Sequence, residues 1–257
     1  MGRFNLFNLA CVRSGKGVHD RIFWHNGSLY KQFRIVYIKN QPIINENSLY
    51  PFVFAVKTNA HRILKDLERI RELCGDNTVL CYGGSDRFDS SYYVQQHELK
   101  NHFRAIYIEN FRRKPETDTH MVLPQAFALG YLQKFNKPTF SSLVDSTYDV
   151  KKEKLIGTAY GAAYPGLDRK IRDRVNLRNA VENQKLIENF KCPFQEYHAT
   201  KSKYKYFASP LGTGLQSSKI YESLMCETVP VLIDRPYSRQ LKEIHKLPIH
   251  LTPDWKS

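Results

Sequence analysis

Apolar, β-branched runs alternate with amphipathic segments along most of the chain, and they do so in two series. Residues 34–38 (RIVYI), 52–56 (FVFAV), 78–82 (TVLCY) and 103–109 (FRAIYIE) are short and rich in β-branched and aromatic residues, which predicts strands. Between the second and third, Ile63, Leu64, Leu67, Ile70 and Leu73 recur at helical spacing over 61–74, and Gly75 supplies the stop. From about 110 to 152 the pattern weakens. Pro115, Pro124 and Pro138 interrupt it, and 151–154 (KKEK) is strongly polar. The second series has predicted strands at 154–159, 204–208, 229–233 and 249–251. Its predicted helices run from about 168 to 190, then over 218–226 and 237–246, and a glycine-rich turn (GAAYPG, 161–166) precedes the first of them.

Strands separated by helices predict parallel βαβ units. Two such series predict an α/β protein of two Rossmann-like parallel-sheet domains, residues 1–145 and 146–257, with the boundary in 140–152. The 257 residues, 42% of them hydrophobic, suffice for packed cores and argue against a disordered chain. No apolar run approaches the ~18 residues that span a bilayer, so no transmembrane segment is expected. The N-terminal apolar stretch is short for a signal peptide, and Gly2 lacks the Ser or Thr that myristoylation prefers. The five cysteines are scattered, with no C-x-x-C pair, so neither a disulfide framework nor a zinc site is expected; a reducing, cytoplasmic setting is the simple reading. The formal net charge of +14 is spread over both halves and favours an anionic partner: nucleic acid, an anionic membrane surface or a phosphate-bearing small molecule.

The stretch 209–234, SPLGTGLQSSKIYESLMCETVPVLID, carries the most specific chemistry. It follows a predicted strand, turns through Gly212, Thr213 and Gly214, starts a helix near Ser217 or Ser218, and runs into a second strand. In an open parallel sheet ligands bind beyond the carboxyl ends of the strands. Glycine lets a backbone approach a ligand closely, and a helix N-terminus with free N–H groups suits a phosphate. Lys219, in the first turn, adds a full positive charge. Structural roles compete with each functional one. Ser217 or Ser218 serves equally as an N-cap, Glu222 pairs equally well with Lys219 three residues back, and Tyr221, Leu224 and Met225 are core candidates. Ser218 and Glu222 stand four apart and do not form a capping box. Ser14-Gly15-Lys16-Gly17 lacks the spacing and the preceding strand of a phosphate loop.

Gly212-x-Gly214, Ser217-Ser218, Lys219-Ile220-Tyr221-Glu222-Ser223-Leu224 and Thr228-Val229-Pro230-Val231 together resemble the donor-binding signature of exostosin-like glycosyltransferases of the GT-B type, including virus-encoded and xylosyltransferase-like members. The resemblance covers about residues 205–234, with fainter stretches at 154–178 and 250–255. It implies a GT-B fold, with the two Rossmann-like domains facing a central cleft, and a nucleotide-sugar donor: a UDP-sugar, with UDP-xylose preferred. The acceptor it implies is a glycan or glycoprotein. It also implies that Glu222 holds the ribose hydroxyls and that 212–219 holds the diphosphate. Leu211 and Lys219 stand where the family often has Arg, and an ammonium offers a point charge where a guanidinium grips bidentately.

The basic segment 168–178 (DRKIRDRVNLR) supplies further cations. Arg174 and Arg178 lie one turn apart, and Arg169 and Arg172 share a face. Either they form a solvated helix face, or one or two of them, with Arg169, Arg174 and Arg178 as candidates, stabilise the charge that develops on a leaving nucleoside diphosphate. The nearest approach to an Asp-x-Asp metal motif is Glu116-Thr117-Asp118 in a polar loop, and no His/Cys cluster has ligand spacing. The expectation is that cationic side chains and a helix dipole replace a metal.

An inverting transfer needs a base to deprotonate the acceptor hydroxyl. Asp86, in Gly83-Gly84-Ser85-Asp86 after the third strand, is the first candidate, with a helix cap or turn as its competing role. His61 is the second, and Asp89, His19 and Asp20 follow. Two other functions stand beside the transferase. One is a basic nucleic-acid-binding or RNA-modifying protein, against which no RRM, KH or zinc-finger motif appears. The other is a catalytically silent domain that keeps the fold and binds a sugar nucleotide or partner.

Overall fold

The computed structural model describes residues 33–38, 40–48, 50–56, 58, 60–83, 99–108, 120–122, 147, 149–159, 172–184, 186–211 and 216–256. The chain divides into two compact units, Met1–Leu129 and Gly130–Ser257. It is α/β, with two mostly parallel sheets, an arrangement compatible with two Rossmann-like domains.

The first unit contains β1 (Phe33–Ile38), β2 (Gln41–Ile44), β3 (Tyr50–Val56), α1 (Ala60–Lys65), α2 (Leu67–Cys74), β4 (Val79–Gly83), β5 (Ala105–Ile108) and β6 (His120–Val122). Its sheet has the order β2-β1-β3-β4-β5-β6. β2 returns antiparallel beside β1, and every other pairing is parallel. Asn40, in the tight turn between β1 and β2, takes φ 69°, a conformation asparagine adopts more readily than most residues. Consecutive residues of the central strands are buried, among them Ile35, Val36 and Tyr37 and then Val53, Phe54 and Ala55, so both faces of the sheet are covered.

The helix expected over 61–74 is interrupted. α1 and α2 break at Asp66, whose backbone sits at φ −100°, ψ 12°. Its carboxylate accepts from the Tyr37 hydroxyl of β1 at 2.8 Å and pairs with Arg62 at 3.2 Å. This anchor to the sheet holds the residue in the bridge region instead of the helical one. Gly75 ends α2 at φ 80°.

The second unit contains β7 (Lys154–Thr158), α3 (Arg172–Gln184), β8 (Ile187–Asn189), α4 (Tyr197–Lys201), β9 (Tyr204–Ala208), α5 (Ser218–Met225), β10 (Val229–Ile233), α6 (Pro236–Glu243) and β11 (His250–Thr252). The sheet order is β11-β10-β9-β7-β8 and every pairing is parallel. The helix expected to continue to Phe190 ends at Gln184, and 187–189 is a strand instead. Ile187 pairs with Ile156 of β7, and the Phe190 ring stacks on Tyr204 at 5.3 Å. A short apolar run is ambiguous between helix and strand, and the free edge of β7 decides it. The expected start of that helix at 168–171 lies outside the described residues.

Leu177 and Ala180 of α3 pack with Ile187, Ala208 and Trp255, while Phe190, Tyr204 and Phe207 form a separate aromatic cluster. Gly157 makes that cluster possible. A Cβ there would lie 2.7 Å from the Tyr204 ring, which is itself stacked on Phe190. Gly157→Ala is therefore expected to destabilise the second unit by about 1–3 kcal/mol through overpacking, read as a lower denaturant midpoint at unchanged slope.

Candidate functional site

The strand order of the second sheet reverses between β7 and β9. From β7 the chain moves outward to β8, then returns to the other side of β7 and builds β9, β10 and β11. At such a reversal the connections leave the two central strands in opposite directions and open a crevice at their carboxyl ends. The stretch 209–218 leaves the carboxyl end of β9, at one side of this point. Thr158 at the end of β7 donates from its hydroxyl to the Ala208 carbonyl at the end of β9 (2.9 Å), which ties the two ends together.

The first leg of the junction is clamped to the start of α3. The Leu211 N–H donates to Asp173 Oδ2 at 2.8 Å, and Arg174 Nε donates to the Leu211 carbonyl at 2.9 Å. Asp173 Oδ1 accepts from the Trp255 indole at 3.0 Å, with the Arg235 guanidinium 3.8 Å away. One buried carboxylate thus joins the junction, α3 and the segment after β11. Asp173→Ala leaves two buried donors unpaired and is expected to cost about 2–4 kcal/mol. A denaturation curve with Trp255 as a fluorescent reporter checks it.

Gly212, Thr213 and Gly214 lie outside the described residues. Gln216 is buried and accepts a hydrogen bond from the Tyr221 hydroxyl. Ser217 is the N-cap of α5: its backbone is extended, and its hydroxyl accepts from the Lys219 N–H at 3.3 Å. Lys219 follows in the first turn, and its ammonium donates to the carbonyl of Ala159, just beyond β7. The N-termini of α3 and α5, with Arg174 and Lys219, therefore meet the ends of β7 and β9.

Glu222 lies inward. It is buried and fully engaged. Oε1 accepts from the Ser218 hydroxyl at 2.9 Å, and Oε2 accepts from the Tyr197 hydroxyl at 2.9 Å and the Lys201 ammonium at 3.3 Å. Its ion-pair partner is Lys201, itself fully buried. Burial pushes the Glu222 carboxyl up, but Lys201, Lys219, His198 and the Ser218 hydroxyl outweigh that and hold it at about 2. Burial lowers the Lys219 ammonium to about 8, with Lys201 and Arg174 repelling in the same sense and Glu222 opposing. Lys201 is lowered by burial too, against the pull of Glu222.

The structure thus brings Ser217, Ser218, Lys219, Glu222 and Arg174 to one region. Arg178 stands one turn further along α3, half-buried. Arg169, Asp86, Asp89, His19 and Asp20 lie outside the described residues. His61 is exposed in the first turn of α1, after the carboxyl end of β3 in the other unit. Lys201, Tyr197 and Asp173 were not legible as site residues. The first two sit in a five-residue helix with no periodic signal, and Asp173 read only as one acid among the arginines of 168–178.

Among the described residues no group of three or more His, Cys, Asp or Glu is placed to share a metal ion. Cys74, Cys81, Cys192 and Cys226 are free thiols. No helix among the described residues is long and apolar enough to cross a membrane. No protein-family model matches the chain, and no curated protein matches it.

Proposed function

We propose that this chain is a GT-B type glycosyltransferase. It moves a sugar from a nucleotide-sugar donor to a hydroxyl of a glycan or glycoprotein acceptor, with inversion and without a metal. The donor is a UDP-sugar, and UDP-xylose stands first because of the resemblance of 205–234 to exostosin-like enzymes. One observation carries the reading. The stretch that bears this signature leaves the reversal point of a parallel sheet, where such folds bind nucleotides, and it meets the N-termini of two helices there.

In this reading the diphosphate lies against the start of α5, where the Ser217 cap already takes the Lys219 N–H, and draws charge from Lys219 and Arg174. Negative charge grows on the leaving diphosphate as the glycosidic bond breaks, and fixed cations favour that state over the ground state. Lys219 has three N–H donors, of which one meets Ala159 among the described residues. Glu222 contributes by orienting Ser218 and offsetting buried positive charge, since its oxygens already accept from Ser218, Tyr197 and Lys201. Asp86 is the proposed base, with His61 as its alternative.

A thermal-shift panel of nucleotide sugars tests the class. Selective stabilisation by one uridine sugar is expected, of about 2–3 kcal/mol near a hundredfold excess over Kd. Transfer from that donor is expected to survive excess EDTA. Activity lost to EDTA and restored by a divalent ion would contradict the metal-free part. Tight, salt-dependent binding of RNA with no response to any nucleotide sugar would contradict the class.

A further inference from the structure

Lys201 has no exposure to solvent. Its ammonium donates to the carbonyl of Lys219 at 3.1 Å and to Glu222 Oε2 at 3.3 Å, and it lies 3.9 Å from the Phe207 ring centroid and 5.1 Å from that of Tyr197. It therefore touches α4, β9 and the first turn of α5 at once. A buried ion pair is seldom more stabilising than apolar residues of the same volume, so stability alone is a weak reason for a lysine here.

Competition for Glu222 gives a stronger one. Lys219 and Glu222 stand three apart on α5, a spacing at which a lysine and a glutamate readily pair. In the structure Glu222 pairs with Lys201 instead, and the Lys219 ammonium reaches the end of β7 at Ala159. We propose that Lys201 is a positioning residue for the junction: by occupying Glu222 and gripping the Lys219 carbonyl, it keeps the Lys219 ammonium turned toward the carboxyl ends of β7 and β9. The benefit to a bound diphosphate rests on the reading of this junction as the donor site, whereas the coupling of Lys201 to Lys219 does not.

The charged and titratable groups that face Lys219 are Glu222 on its own helix, Lys201 and Tyr197 on α4, and Arg174 on α3, while His198 of α4 acts on Glu222. Removing the Lys201 charge takes away one repelling cation and releases Glu222 to draw Lys219 inward. Both changes favour the protonated form of Lys219.

The test follows the Lys219 ε-carbon by NMR through a pH titration of the unliganded protein, in wild type, Lys201→Met and Lys201→Gln. The glutamine variant keeps a donor for Glu222 and covers the case in which the methionine variant does not fold. An upward move of the Lys219 midpoint by about one unit or more is expected in either variant. An unchanged or lower midpoint overturns the proposal. Calorimetry with UDP at pH 7 runs alongside. Binding about tenfold weaker is expected in Lys201→Met although its Lys219 is more fully protonated, with recovery to about threefold of wild type in Lys201→Met/Glu222→Gln. A double variant that binds as weakly as the single one overturns the positioning role. Wild type that fails to bind UDP while its Lys219 midpoint still answers to Lys201 sinks the donor reading and leaves the coupling intact.

Discussion

Glu222→Ala is expected to cost the second unit about 3–5 kcal/mol, because it strands the Lys201 ammonium in a site without solvent. The loss has three parts. The ion pair at 3.3 Å disappears, the Tyr197 hydroxyl loses its acceptor, and the Ser218 hydroxyl loses its own. The same carboxylate predicts the acid limb of the stability curve. Its folded value of about 2 lies below the ordinary 4.5. The contribution of the ionised form is therefore complete above about 4.5 and is lost as pH falls through about 2. Urea denaturation at pH 7 and at a series of acid pH values measures both effects. A loss below about 1 kcal/mol at pH 7, the size of an exposed pair, would show that Glu222 and Lys201 are not a buried pair.

Lys219→Met is expected to weaken UDP binding by about one to two orders of magnitude, the worth of one charge-assisted hydrogen bond to phosphate. The pH dependence separates this from a general loss of fit. With the Lys219 ammonium at about 8, wild-type affinity should be level below that value and decline as pH rises through it, since the neutral amine no longer attracts the diphosphate. The variant should lack that decline. Equal affinity in the two proteins, or the same alkaline decline in both, would remove Lys219 from the site. Melting curves of the variant check that its fold is intact.

The parts of the fold that were legible from sequence are those whose pattern is contiguous. β9, the junction, α5 and β10 follow one another within thirty residues, and the cap, the periodic face and the apolar Val-Pro-Val-Leu-Ile each mark an edge. β2 and β6 escaped because they are short, with Pro42 inside β2 and Pro124 two residues after β6, in positions where a strand exists only through its pairing with β1 or β5. β8 was absorbed into the preceding helix because Ile187 fits either period until β7 is beside it. The break at Asp66 needed Tyr37, 29 residues away, to be visible.

The site divides the same way. Gly212, Ser217, Lys219 and Glu222 became candidates because a glycine turn before a helix start is a local signal. The direction in which Glu222 faces was not, because it depends on Lys201 at a separation of 21 residues. Asp173 was missed for a like reason: its role is to hold Leu211, 38 residues on, and Trp255, 82 residues on. Electrostatic partners distant in sequence leave no periodic trace, and a lysine in a polar pentapeptide reads as surface until three elements close over it.

A crystal of the protein soaked with UDP addresses the account most directly. Diphosphate density is expected beside the Lys219 ammonium and the first turn of α5, at the carboxyl ends of β7 and β9, with Glu222 still held by Lys201. Density for UDP in any other cavity, with the Lys219 ammonium still on Ala159, would contradict it.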